Sequence, residues 1–222
     1  MDSEIKGFIR HATRIRKTIW NKIVFYEGVL ERKRVVIVKS GLGKVFAAVV
    51  CQKLIDLFKP SKIIFTGVAG GINSRLNIAD VIISKDCMYH DLDCTAMGIK
   101  RGQIPFTKFR FFKADPKLRK LALKTRIEKH KIISGRILTG DQFLTKTKIK
   151  THSYLKKELK GDCVEMEGAA VAHVCTINKI PFLIVRTLSD KADSSAKIDF
   201  KKFLPVAAKN SFLVVRTILK NL

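Results

Sequence analysis

Short β-branched runs alternate with longer amphipathic segments along this chain, and that alternation restricts the fold more than composition does. Lys22–Tyr26 and Val35–Val38 read as strands, Lys44–Leu57 as a helix, and Lys62–Phe65 and Asp80–Ser84 as further strands. An amphipathic segment then spans Asp115–Lys129, followed by a strand at Ile132–Leu138 and a helix at about Glu167–Asn178. A strand at Pro181–Arg186 and a last helix at about Lys201–Leu219 complete the series. Alternation of this kind favours a largely parallel sheet with helices on both faces, hence an α/β fold. The 222 residues suffice for a single domain with one large core, and no repeat or linker divides them.

In such sheets ligands bind outside the carboxyl ends of the strands, and three groups of residues fall there. Thr66-Gly67-Val68-Ala69-Gly70-Gly71 follows the strand ending Ile63-Ile64-Phe65. Its glycines serve either a strand-to-helix turn or the close approach of a ligand to bare backbone. Neither a dinucleotide fingerprint nor a Walker phosphate loop is present. Asp190, in Arg186-Thr187-Leu188-Ser189-Asp190, ends a buried strand and is either a cap or a general acid.

The third group is Glu165-Met166-Glu167, at the start of a helix whose residues from Gly168 to Val174, His173 apart, are small and apolar. Two acids there would be desolvated unless a polar ligand or partner satisfies them. Carboxylates suit vicinal hydroxyls, because one carboxylate can accept a hydrogen bond from each, and Met166 offers an apolar surface to a sugar face.

Composition excludes several classes. Five cysteines, an odd number without a Cys-x-x-Cys pair, and five scattered histidines argue against a disulfide framework and against a zinc site; no metal and no cofactor are expected. No apolar run approaches the roughly 18 residues that span a bilayer, and the amino terminus lacks a secretory signal's apolar core. A cytoplasmic protein without membrane contact is therefore expected. The formal net charge of +25 would attract polyanions. Its basic residues are nonetheless spread in small groups without aromatic interleaving, so a solvated basic face competes with polyanion binding.

Six motifs together resemble the bacterial 5'-methylthioadenosine/S-adenosylhomocysteine nucleosidases: Ser40-Gly41-Leu42-Gly43-Lys44-Val45, Thr66 to Gly71, Tyr89-His90-Asp91, Gly140-Asp141-Gln142-Phe143, Val164 to Glu167, and Arg186 to Asp190. They occur in the family's order and cover essentially the whole chain. The resemblance implies a nucleoside phosphorylase-like fold, a central mixed β-sheet flanked by helices, and hydrolysis of the bond between adenine and a 5'-thio-substituted ribose. It also assigns roles. Glu167, beside Glu165, would accept hydrogen bonds from the ribose hydroxyls, with Met166 against the sugar. Asp190 would be the general acid at adenine N7, supported by Ser189 and Arg186. Phe143 would stack on adenine and Leu144 would contact it through its backbone, while Val68, Ala69 and Gly70 line the nucleoside pocket. The family's base is a glutamate in a Met-x-x-Glu segment, here Met1-Asp2-Ser3-Glu4.

Family members carry a short strand before that segment, which is expected to be missing ahead of Met1. A homodimer is expected as well, with Met97 to Pro105 of a second subunit closing the alkylthio end and Phe200 covering the site from its own chain. Two rivals remain. Hexameric purine phosphorylases share the glycine loop but hold phosphate with an arginine and a serine where this chain has Phe65 and Val68. A basic polyanion-binding protein with weak or no catalysis is the other.

Overall fold

The computed structural model describes residues 2–144, 152–190 and 196–222, with side chains from residue 4 onward except at 190 and 196–202. The chain opens with helix α1 (Asp2–His11) and an antiparallel three-stranded sheet, β1 (Thr13–Trp20), β2 (Ile23–Leu30) and β3 (Lys33–Val38). Both connections are two-residue hairpins, and Asn21, Lys22, Glu31 and Arg32 all have positive φ, as a primed turn requires. Helix α2 (Lys44–Phe58) leads into β4 (Ile63–Gly71), β5 (Val81–Tyr89), the short β6 (Phe112–Lys113) and α3 (Pro116–Ala122). Then come β7 (Ile132–Thr139), α4 (Tyr154–Lys157), β8 (Cys163–Glu165), α5 (Gly168–Ile177), β9 (Phe182–Asp190) and α6 (Ala196–Lys220).

The six strands β4 to β9 form one mixed sheet in the order β6-β5-β7-β8-β4-β9. The largely parallel sheet expected from alternation alone is thus corrected. β4 runs parallel to β9 and β7 to both β5 and β8, whereas β4–β8, β5–β6 and β5–β9 are antiparallel. The twisted sheet also curls until β5 meets β9, with Val81 opposite Thr187 and Ile83 opposite Val185. Ser84 reinforces the seam, its Oγ accepting the Ile184 N–H at 3.0 Å.

Strands buried on both faces need near-continuous apolar sequence, and Val81-Ile82-Ile83 and Leu183-Ile184-Val185 supply it, all fully buried. The small residues of α5 let it lie close to this ring, with α2 packed outside it; Cys51 and Cys175 meet across that contact at 4.0 Å. No helix among the described residues is long and apolar enough to cross a membrane.

The segment expected as a helix over Asp115–Lys129 is helical only to Ala122. Asp115 caps its start, accepting the Leu118 N–H at 2.8 Å, but beyond Leu123 the buried positions shift to Thr125 and successive turns replace the helix.

Candidate active site

The ends of β4, β7, β8 and β9 converge, and the register fixes which residues meet. Gly67 lies opposite Arg186, Val68 opposite Thr187, and Gly70 opposite Asp190 on one side and Val164 on the other. Thr139 lies opposite Glu165. The β4–β9 register slips between Ala69 and Gly70, which leaves Ser189 as the extra residue of a bulge at the strand end. Its hydroxyl reaches the Ala69 carbonyl at 3.5 Å. Ala69 is buried, whereas Val68, Gly70 and Met166 are half-buried.

The two glutamates differ sharply. Glu165 is buried, and protein groups surround its carboxylate. Thr139 donates its hydroxyl to Oε1; Oε2 accepts the backbone N–H groups of Glu167 at 3.0 Å and Gly168 at 2.7 Å, and is paired with the Arg186 guanidinium. Glu165 therefore ties the first turn of α5 to β7 and β9. Glu167 stands nearer the opening, its side chain 14% exposed. Its Oε1 accepts the Gly43 N–H at 2.9 Å, and Oε2 lies 3.7 Å from Arg186 Nη2. Gly43 holds φ +86°, a conformation that glycine adopts without strain, just before the first residue of α2.

Arg186 is the charge that makes this cluster tolerable. It is fully buried, paired with both glutamates, and its guanidinium carbon lies 4.5 Å over the centre of the Phe65 ring. A Cβ on Gly67 would come within 2.2 Å of Arg186 Nη1, so the glycine is required for the arginine to lie against β4. Glu4 reaches the same place from α1: its Oε1 is 3.5 Å from that Cβ position. Burial would lower the Arg186 pKa, but Glu165, Glu167 and Glu4 outweigh it and hold the guanidinium charged. Burial pushes the Glu167 carboxyl above its ordinary range; Arg186 opposes that rise, and Glu165 and Glu4 add to it.

After β7, Gly140 donates its N–H to the Glu165 carbonyl at 3.1 Å and starts the turn carrying Phe143 and Leu144. Phe143 is 51% exposed, while Leu144 is buried with Ile72, Leu138 and Val164. Met97 and Pro105 lie on the long connection between β5 and β6, where Met97 is 62% exposed and Ile104 turns inward against the core. The side chains of Asp190 and Phe200 lie outside the described residues.

Thr139, Gly43, Lys44, Asp91 and Asp141 join the site's hydrogen-bond network although sequence reasoning singled none of them out as site residues. Four of them stand inside the motifs quoted above, and their glycine or charged character was the available signal. Thr139 carried none, because only the pairing of β7 with β8 brings it to Glu165.

A model of the phosphorylase superfamily matches residues 1–220. A 5'-methylthioadenosine/S-adenosylhomocysteine nucleosidase of Psychromonas ingrahamii is 40% identical over all of this chain and 96% of its own length. The crystal structure of the Neisseria meningitidis 5'-methylthioadenosine/S-adenosylhomocysteine nucleosidase in complex with methylthio-immucillin-A superposes with a TM-score of 0.94 at 35% identity, covering 100% of this chain and 96% of that one. Futalosine hydrolase of Helicobacter pylori is also similar, with a TM-score of 0.92 at 30% identity over 100% and 95%. Full-length matches at these identities, on a converged site of this geometry, establish that the chain belongs to the phosphorylase superfamily and, within it, to the 5'-methylthioadenosine/S-adenosylhomocysteine nucleosidases.

Proposed function

We propose that the protein hydrolyses the N-glycosidic bond of 5'-methylthioadenosine and S-adenosylhomocysteine, releasing adenine and the 5'-thioribose product, as a step in methionine salvage. The observation that carries hydrolysis over phosphorolysis is the Phe65–Arg186 stack. An aromatic ring fills the position at which the hexameric phosphorylases place a phosphate-binding arginine, and the nearest buried guanidinium is committed to two glutamates. Adenine release should be unchanged when phosphate is omitted. Turnover that required phosphate would make the protein a phosphorylase, salt-sensitive binding of nucleic acid without adenine release would favour the polyanion-binding alternative, and hydrolysis of futalosine alone would move it to the other neighbour's activity.

The reaction needs a proton at the leaving base and removal of one from water while positive charge grows on the ribose. In this reading Asp190 supplies the first and Glu4 takes the second. Glu167 accepts the ribose hydroxyls, Met166 packs on the sugar, and Phe143 stacks on adenine above the backbone of Leu144. Val68, Ala69 and Gly70 form the wall, with Ser189 and Arg186 supporting. Glu165 acts from behind, as the residue that fixes Arg186 and the start of α5.

Glu167 is a full acceptor only as a carboxylate, and its pKa is raised by burial. On acidification it therefore protonates earlier than an ordinary glutamate, whose pKa is about 4.3. Glu167's contribution to the acid limb of kcat/KM is expected above that value and should be lost in Glu167→Gln. A limb unchanged by that substitution would exclude Glu167 as its source.

The working form is proposed to be a homodimer. Leu42, Val45, Phe46 and Val49 form an exposed apolar strip along the start of α2, beside a groove reached by Trp20 and Ile23. A second copy seated there would cover the strip next to Gly43 and bring its own Met97 to Pro105 segment to the open end of the site. Sedimentation should give a dimer, and a fully active monomer at low concentration would refute the arrangement.

A further inference from the structure

The turn from β3 into α2 holds Glu167 through a single backbone N–H, that of Gly43. The next residue secures that turn. The Lys44 ammonium donates to both Asp91 oxygens, at 2.9 and 2.8 Å, and lies 3.4 Å from Asp141 Oδ2. Asp141 closes the triangle: its N–H donates to Asp91 Oδ2 at 2.9 Å, and its Oδ1 accepts the Lys44 N–H at 3.0 Å. Three separate segments are joined in this way, the start of α2, the turn after β5 and the turn after β7.

Isolated surface ion pairs contribute little, but this one has a different geometry. The Lys44 and Asp91 side chains are only 24% and 21% exposed, and backbone N–H groups anchor both carboxylates. Burial works to raise the Asp91 pKa; the Lys44 ammonium and the Asp141 N–H outweigh it and hold the carboxyl below the usual range. The cluster has no part in the proton transfers assigned above, yet it fixes the residue adjacent to the one that Glu167 grips.

We propose that Lys44, Asp91 and Asp141 form a clasp that fixes the first turn of α2 so that the Gly43 N–H holds the Glu167 carboxylate in place for the ribose. Lys44 is then a positioning residue for nucleoside binding. The inference rests on the nucleosidase reading. Losing a hydrogen bond to a charged group corresponds to about a tenfold change in an equilibrium constant, and the effect should fall on binding more than on chemistry.

Lys44→Met is expected to raise KM for 5'-methylthioadenosine about tenfold with kcat within about threefold of the parent, and Lys44→Arg should recover most of the loss. Asp91→Asn should reproduce the KM effect independently, which keeps the test open if Lys44→Met fails to fold. In a Glu167→Gln background, Lys44→Met should change KM by less than about twofold, because the group it positions has already been altered. Equal increases in both backgrounds would overturn the clasp, as would a folded Lys44→Met with the parent's KM. A parent that releases no adenine overturns the nucleosidase reading and the clasp with it; an active parent with an indifferent Lys44→Met overturns the clasp alone.

Discussion

Asp190→Asn is expected to lower kcat by roughly 10² to 10⁴ while leaving the fold intact, the range typical of a positioned acid or base. Asparagine keeps the size and a hydrogen-bonding group but has no titratable proton to give to adenine. The backbone at 190 closes the β9 register opposite Gly70, next to the bulge at Ser189, so a near-isosteric side chain leaves the strand pairing untouched. Glu4→Gln should produce a loss of the same order, because an amide cannot accept the proton of the attacking water. Glu167→Gln should differ, with part of its effect in KM, since it weakens a contact that already helps hold substrate. The informative comparison is between the first two. If Asp190→Asn were inactive and Glu4→Gln as active as the parent, the base would have to be sought elsewhere, or water would act unaided.

Arg186→Met should be the most destabilising single change at the site. It leaves the buried Glu165 carboxylate without its cation, and breaking a buried pair from one side typically costs about 3–5 kcal/mol. For a protein of this size each kcal/mol shifts Tm by about 2–4 °C, so a fall on the order of 10 °C is expected. Adding Glu165→Leu should not restore the parent's stability. Glu165 also accepts the Thr139 hydroxyl and the N–H groups of Glu167 and Gly168, and a leucine would orphan all three. Thermal melts of the single and double variants decide it: an Arg186→Met protein melting within a degree or two of the parent would show that the pair carries little of the fold.

Where periodicity was strong, the sequence was informative. Lys44–Leu57 lies within the observed helix Lys44–Phe58, and Ile132–Leu138 within the strand Ile132–Thr139. The first twenty residues were opaque for a physical reason. β1 is Thr-Arg-Ile-Arg-Lys-Thr-Ile-Trp, mostly exposed, with Arg14 at positive φ and a register shift between Thr13 and Arg16, so its alternation is broken. Its hairpin turns use Asn-Lys and Glu-Arg rather than glycine, which removed the usual punctuation. At the site, the two glutamates were visible as a pair, but their division of labour was not. Only the strand character of Cys163–Glu165 sets Glu165 inward against Thr139 and Arg186, and three residues are too few for any periodicity to reveal.

The seam between β5 and β9 also governs when a working molecule can exist during synthesis. Ser189 and Ala69 stand 120 positions apart along the chain, and β9 must find both β4 and β5. A ribosome that has delivered the glycine loop, Glu4 and even both glutamates has still not delivered Arg186, the cation that makes their burial affordable. Such contacts, distant in sequence, form slowly because a long loop must close before any of them is gained. Until β9 emerges from the exit tunnel, the nascent chain has neither the closed ring nor the charge balance to hold a nucleoside, so the binding site can be completed only near the end of translation.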